Sequence, residues 1–186
     1  MERPDPVRPP GPPPGAHALT LLRELRYHGV RFVLLGRASA WAHGAQVPIG
    51  DIDICPDPDR DNLERLAACL ADVRARPIEE GTRNRYGVAS AAEVAPEARD
   101  LDGLYSTNHG MLDVIISPYG HGGLGSLSFE ELESRAQTRI YSGEPLRVAA
   151  VDDLVASKLG ASSPKDRTTV EELRRATGSP KPPEQR

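Results

Sequence analysis

The 186 residues suffice for one domain with a sizeable core, and 38% hydrophobic against 27% charged residues excludes wholesale disorder. Aromatic side chains make up only 4% and the net charge is −4. That balance argues against a stacking platform for single-stranded nucleic acid and against a global field that draws in a polyanion. The longest apolar stretch, around Phe32 to Leu35, falls far short of the roughly 20 residues of a membrane span, and no signal-peptide core opens the chain. A cytoplasmic protein without membrane contact is expected. Cys55 and Cys69 have neither zinc-ligand spacing nor the density of a disulfide scaffold, so both are expected to pack as small apolar residues.

Seven of the first fourteen residues are proline, which removes backbone donors, so residues 1 to 15 read as an extended tail. Leu19, Leu22 and Leu25 then mark one face of a helix that Gly29 terminates. Val30, Phe32, Val33, Leu34 and Leu35 form a buried strand ended by Gly36, and Ala38 to His43 favour a short helix closed by Gly44. After a loop with Pro48 and Gly50, Asp51 to Cys55 reads as the next strand. Asp59 or Asp61 caps a helix whose apolar face is Leu63, Leu66, Leu70 and Val73. Residues 77 to 103 show only weak alternation around Gly81, Gly87 and Pro96, and a strand or two within an irregular excursion is expected there.

Leu104 to Thr107 and Met111 to Ser117 flank Asn108, His109 and Gly110 as a hairpin does. Its alternation turns Asp113 away from Leu112 and Val114. Gly120 to Gly125 reads as a flexible connection, since neither the preceding strand nor the following Lys-Ser or Lys-Thr of a Walker loop is present. Ser128 and Glu131 have capping-box spacing and open a helix. Thr138 to Tyr141 and Leu146 to Ala149 are short strands joined at Ser142 and Gly143. Val151 to Ala161 and Lys165 to Ala176 are helices separated by Ser162, Ser163 and Pro164, and residues 178 to 186 form a second tail. Adjacent strands mixed with helices indicate an α+β fold, with one domain over residues 16 to 177 and a short helical C-terminal part from about residue 150.

Asp51 and Asp53 sit two apart on a predicted strand, so both carboxylates project from one face. Two held close repel, and a raised pKa or a bound divalent cation relieves them. A third acid on a neighbouring strand completes an oxygen-rich metal site, and Asp113 in its apolar strand is the best candidate. The bland alternative is a pair of acids capping a solvent-facing strand end.

The stretch from Val33 through Gly36 and Trp41 to Gly44, followed by Asp51-Ile52-Asp53-Ile54, resembles the core of the polymerase-β-type nucleotidyltransferase superfamily. His109 to Val114 resembles the strand that carries that family's third acid, and Arg147 to Lys158 with Pro164, Lys165 and Asp166 is similar to the C-terminal segment of small bacterial members related to abortive-infection toxins. The resemblance covers about residues 18 to 176. It implies a mixed sheet flanked by helices and an enzyme that moves a nucleoside monophosphate from a nucleoside triphosphate such as ATP to a hydroxyl. Asp51, Asp53 and Asp113 would be both the catalytic and the metal-binding residues, holding two Mg²⁺ ions or Mn²⁺ in their place. Gly36, Arg37, Ser39 and Lys158 are the candidate nucleotide contacts, with Arg37 either binding phosphate through its guanidinium or obstructing its approach, and Lys158 either contacting phosphate or acceptor or lying on a solvated face. Gly36 would admit the triphosphate close to the backbone, and the short helix after it would offer its first amides. The acceptor implied is a tRNA, a protein side chain or a small molecule.

Two departures from the family pattern stand out. Arg37 occupies a place where the family has Ser or Gly, and Val47, Pro48, Ile49 and Gly50 stand where small relatives have Arg and Thr before the acids. They support a second reading, a catalytically degenerate fold that binds a partner protein in a toxin–antitoxin or defence pair. Elsewhere, His43, His109 and His121 form no metal-ligand pattern and read as turn or surface residues, while Asp153 is read as stabilising its own helix N-terminus. Asp166 is read as the cap of the last helix, and Lys165 as a solvated lysine.

Overall fold

In the computed structural model, residues 16–78, 101–116, 127–141, 144–159 and 164–178 are described. The proline-rich tail, most of the 77–103 excursion, the glycine-rich connection, the Ser142-Gly143 joint, His121 and the tail beyond Gly178 lie outside the described residues.

Helix α1 (Ala16–Tyr27) buries Leu21, Leu22 and Leu25, whereas Leu19 of the predicted face is only partly covered. Its end is set by backbone chemistry. Gly29 adopts φ +67°, its N–H donates to Arg26 O at 2.8 Å and the Val30 N–H donates to Leu25 O at 2.9 Å. This is the Schellman arrangement, with buried Val30 and Leu25 as its apolar pair.

Strand β1 (Phe32–Leu34) is shorter than the predicted run and buried at all three positions. Helix α2 (Gly36–Ala42) starts two residues earlier than expected, at the glycine itself. Ala38, Ala40 and Ala42 are buried in it, and such small side chains let its axis approach the sheet closely. Strand β2 (Asp51–Pro56) runs one residue beyond the predicted end, because Pro56 still sits opposite Phe32 on antiparallel β1. In helix α3 (Arg60–Asp72), Asp59 is the cap, accepting from the Asn62 N–H at 3.3 Å, and Leu63, Leu66 and Leu70 point inward with Val73.

Strands β3 (Arg76–Pro77), β4 (Gly103–Thr107) and β5 (Gly110–Val114) follow. The β4–β5 hairpin closes with Thr107 opposite Gly110, so the turn proper is Asn108 and His109, and Gly110 opens the strand. The predicted capping box is present at the start of α4 (Phe129–Arg135): Ser128 Oγ accepts from the Glu131 N–H at 3.2 Å, and the Glu131 carboxylate accepts from the Ser128 N–H at 2.8 Å. Strands β6 (Gln137–Tyr141) and β7 (Glu144–Val148) precede α5 (Val151–Leu159) and α6 (Pro164–Thr177). Pro164, expected to separate the last two helices, instead begins the second, a position where its missing N–H goes unneeded.

Among the described residues the strands form one seven-stranded sheet in the order β3-β4-β5-β2-β1-β7-β6. The β1–β7 and β2–β5 pairs are parallel and the others antiparallel, so the fold is a mixed α+β sheet flanked by helices with a helical C-terminus. Cys55 and Cys69 are buried and unbridged, as expected of small apolar residues. No helix among the described residues is long and apolar enough to cross a membrane.

Candidate active site

Alternation along β2 decides which face carries its acids. Ile52 and Ile54 are buried to 1% and 0% exposure, so Asp51 and Asp53 project from the opposite face, where both are half-buried. Strand β5 repeats the pattern, with Asp113 between buried Leu112 and Val114. In the parallel β2–β5 pair, Asp53 lies directly opposite Asp113, and register partners project to the same side. Two neighbouring carboxylates and a third sixty residues further along the chain thus share one patch at the middle of the sheet.

Gly36 roofs this patch. The Leu35 N–H donates to Asp53 O at 2.8 Å, after which the chain turns at Gly36 with φ +61° and enters α2. A Cβ at position 36 would lie 1.7 Å from Asp53 Oδ2 and 2.6 Å from Cγ. Conformation and space both demand glycine here.

The electrostatics follow from the crowding. Burial first, and then the charges of Asp51 and Asp113, push the Asp53 carboxyl up to about 7, with Lys158 and Arg37 pulling the other way. Asp113 is pushed up to about 6 by burial, then by Asp102 and Asp51. Arg37 Nη2 stands 3.8 Å from Asp51 Oδ1. Lys158 Nζ lies 3.1 Å from Asp166 Oδ1, so the two residues singled out separately in the sequence form one ion pair near the carboxylates. Asp166 does not cap the last helix, which begins two residues earlier at Pro164; it sits in the first turn of α6 and faces Lys158 across the joint between the last two helices. Lys165 is exposed, as read. Ser39 is fully buried, and its hydroxyl has no hydrogen-bond partner among the described residues.

A cavity of about 380 Å³ opens beside Asp51, walled by His17 and Leu21 of α1, Ile49, and Asn108, His109 and Met111 of the hairpin. Among the described residues no three His, Cys, Asp or Glu side chains stand together as a finished metal-ligand set. The donor chemistry nevertheless suits a divalent cation, because hard carboxylate oxygens on adjacent strands repel one another until a positive charge joins them.

Several residues were placed differently from the sequence reading. His43 does end α2 in a turn, yet it is buried: Nε2 donates to Ala149 O at 2.8 Å and Nδ1 accepts from Arg139 Nη2 at 3.1 Å. Those partners select the neutral tautomer, and burial holds the imidazole below its usual range, with Arg139 acting the same way and the Ala149 bond opposing. Asp153 is only 7% exposed and reaches Arg135 at the end of α4, 3.2 Å away, in addition to sitting in the first turn of its own helix. Asp102 went unnoticed in the sequence. Its Oδ1 accepts from the Ile116 N–H at 2.8 Å, which brings its charge against Asp113. No local pattern marks such a residue, because its partner lies across a hairpin.

Neither a family model nor a curated protein matches the sequence. Solved structures match in fold. The chain has the fold of ANT(2″)-Ia. The solution structure of ANT(2″)-Ia, an antibiotic-resistance factor, superposes with a TM-score of 0.54 at 16% identity, covering 87% of this chain and 83% of that one. The crystal structure of ANT(2″)-Ia in complex with adenylyl-2″-tobramycin gives a TM-score of 0.53 at 13% identity, covering 86% of each chain. At such identities the likeness to ANT(2″)-Ia is one of fold, extending over nearly the whole of both chains.

Proposed function

We propose that this protein is a metal-dependent nucleotidyltransferase that moves a nucleoside monophosphate from a nucleoside triphosphate to a hydroxyl of a small molecule. One observation carries the reading: Asp51, Asp53 and Asp113 share a face under Gly36, with Asp53 and Asp113 in register on the two central strands. Support for the acceptor class comes from ANT(2″)-Ia, which shares the fold and holds an adenylyl group joined to tobramycin. The tRNA and protein acceptors, and the toxin or partner-protein role, have no comparable support.

In the reaction the acceptor oxygen attacks the α-phosphorus, the bond to the β-phosphate oxygen breaks, and pyrophosphate leaves. Asp51, Asp53 and Asp113 would hold Mg²⁺ or Mn²⁺, which supplies positive charge for the triphosphate and acidifies the acceptor hydroxyl. Asp113, opposite Asp53 on the neighbouring strand, would take the proton from that hydroxyl. Arg37 and Lys158 offer guanidinium and ammonium donors to the phosphates, and Gly36 leaves the Asp53 carboxylate the space that a side chain would take. Positioning and charge then account for the rate without a covalent enzyme intermediate.

The test is label transfer from each α-labelled nucleoside triphosphate, with Mg²⁺ or Mn²⁺, into fractionated small metabolites, RNA and protein. Label in the small-molecule fraction, lost in Asp53→Asn, is the expected result. Label in RNA or protein would reassign the acceptor. If no label moves and calorimetry finds no metal-dependent nucleotide binding, the degenerate, partner-binding reading replaces this one.

A further inference from the structure

Arg37 leaves α2 one residue after the glycine roof and turns back over the acids. Its Nη2 lies 3.8 Å from Asp51 Oδ1 and 3.3 Å from the point where a Cβ at position 50 would sit. Gly50 does not occupy the left-handed region, unlike Gly36, so its missing side chain provides room and not backbone freedom. The room is taken by the guanidinium. A separation of 3.8 Å is beyond hydrogen-bond length, which makes the contact an ion pair without directional bonds. Arg37 is a quarter exposed and can leave it toward solvent.

The chemistry of the group matters as much as its place. A guanidinium does not lose its proton in a protein, so a second cation arriving at Asp51 cannot be accommodated by neutralising Arg37. The arginine has to move. Lys158, the other cation acting on Asp53, is already engaged by Asp166 at 3.1 Å, which leaves Arg37 as the more displaceable of the two.

We propose that Arg37 is a built-in counter-cation that rests on Asp51 when no metal is bound, yields Asp51 to the divalent cation, and then turns to the triphosphate. The inference rests on the reading of Asp51, Asp53 and Asp113 as the metal-binding carboxylates. It makes metal and nucleotide interdependent. Without nucleotide, Arg37 competes with the metal for Asp51; with nucleotide, the phosphates draw Arg37 away and the metal binds more tightly. Linkage requires the same factor in the reverse direction, so the metal strengthens nucleotide binding equally.

The experiment measures binding, not turnover. Mn²⁺ alone is titrated into the full chain and followed by the paramagnetic resonance of the free ion, for wild type, Arg37→Gln, Arg37→Lys and Asp53→Asn, and is repeated with a non-hydrolysable nucleoside triphosphate. Removing a partly exposed ion pair predicts that Arg37→Gln binds Mn²⁺ about fivefold more tightly than wild type without nucleotide. The gain from adding nucleotide should shrink by a similar factor, and Arg37→Lys should keep most of the wild-type coupling. Unchanged or weaker Mn²⁺ binding by Arg37→Gln overturns the counter-cation. Should Asp53→Asn bind Mn²⁺ as wild type does, the carboxylate site itself falls, and so does the inference built on it. Loss of Mn²⁺ in Asp53→Asn with no change in Arg37→Gln removes the inference alone, and no binding by any of the four removes both.

Discussion

The two ends of β2 solve the problem of buried polarity in opposite ways. At its C-terminal end, Asn62 is fully buried, yet its Oδ1 accepts from the Arg31 N–H at 2.7 Å while its Nδ2 donates to Arg31 O at 2.9 Å and Asp57 O at 2.8 Å. Asp57, also buried, pairs with Arg31 Nη1 at 2.8 Å and accepts from the Asp59 N–H at 3.0 Å. These groups are matched to partners within the chain and clip α3 to the strand. At the N-terminal end, Asp51 and Asp53 face Asp113, and burial plus like charge drive the carboxyls of Asp53 and Asp113 toward the neutral form. A satisfied polar cluster stabilises a fold, whereas a crowded acidic one lowers stability until a ligand completes it.

Substitutions should separate the two ends. The largest effect is expected of Asp53→Asn, which should lower nucleotide transfer by about a thousandfold. The same variant should melt at a higher temperature than wild type at pH 8, because it removes a repelled charge; calorimetric melting beside the transfer assay tests both signs. Next comes Gly36→Ala, where overlap with Asp53 and left-handed strain together should cost about 2–5 kcal/mol in denaturant unfolding. Asn62→Ala should cost about 1–3 kcal/mol by leaving the Asp57 carbonyl and the Arg31 N–H without their partner, while Arg31 O keeps the Asp57 N–H at 3.0 Å. Mn²⁺ affinity of the folded Asn62→Ala protein should stay at the wild-type value, and a loss there would erase the contrast between the ends.

A pH series sharpens the comparison further. Asp53 in the folded chain holds its proton up to about 7, against 3.8 in an ordinary carboxyl, so between those values the folded state binds more protons than the unfolded one. Stability from this group is therefore highest in acid and declines as pH rises through that window. The melting temperature of wild type minus that of Asp53→Asn should fall from pH 5 to pH 8. His43, whose depressed pKa acts with the opposite sign, is common to both proteins and cancels in the difference. The smallest effect belongs to the exposed Arg60–Glu64 pair on α3, where Arg60→Ala should change unfolding by only about 0.3–0.5 kcal/mol.

Much of this was legible before folding was considered. Leu63, Leu66 and Leu70, the Ser128–Glu131 box and the Asn108–His109 turn are local signals, each carried by residues within two turns of one another. So was the presence of the acids, since a two-residue spacing on any strand puts Asp51 and Asp53 on one face. His43 lies in a turn, as read, but its burial has no sequence signal, because its partners, Arg139 and Ala149, are about a hundred residues away and no periodicity links them. Pro164 reads as a separator because a proline at the first position of a helix and one in a loop look alike in sequence.

From the order of residues alone came the elements, their buried faces and the three candidate carboxylates, because propensity, capping and alternation act over a few neighbours. Tertiary structure alone decided that β2 lies parallel to β5 with Asp53 opposite Asp113, that Gly36 closes over Asp53, and that Arg37 fills the space Gly50 leaves. Register between distant strands is set by the packing of the whole sheet, and charge becomes chemistry only when that packing brings like groups together out of water.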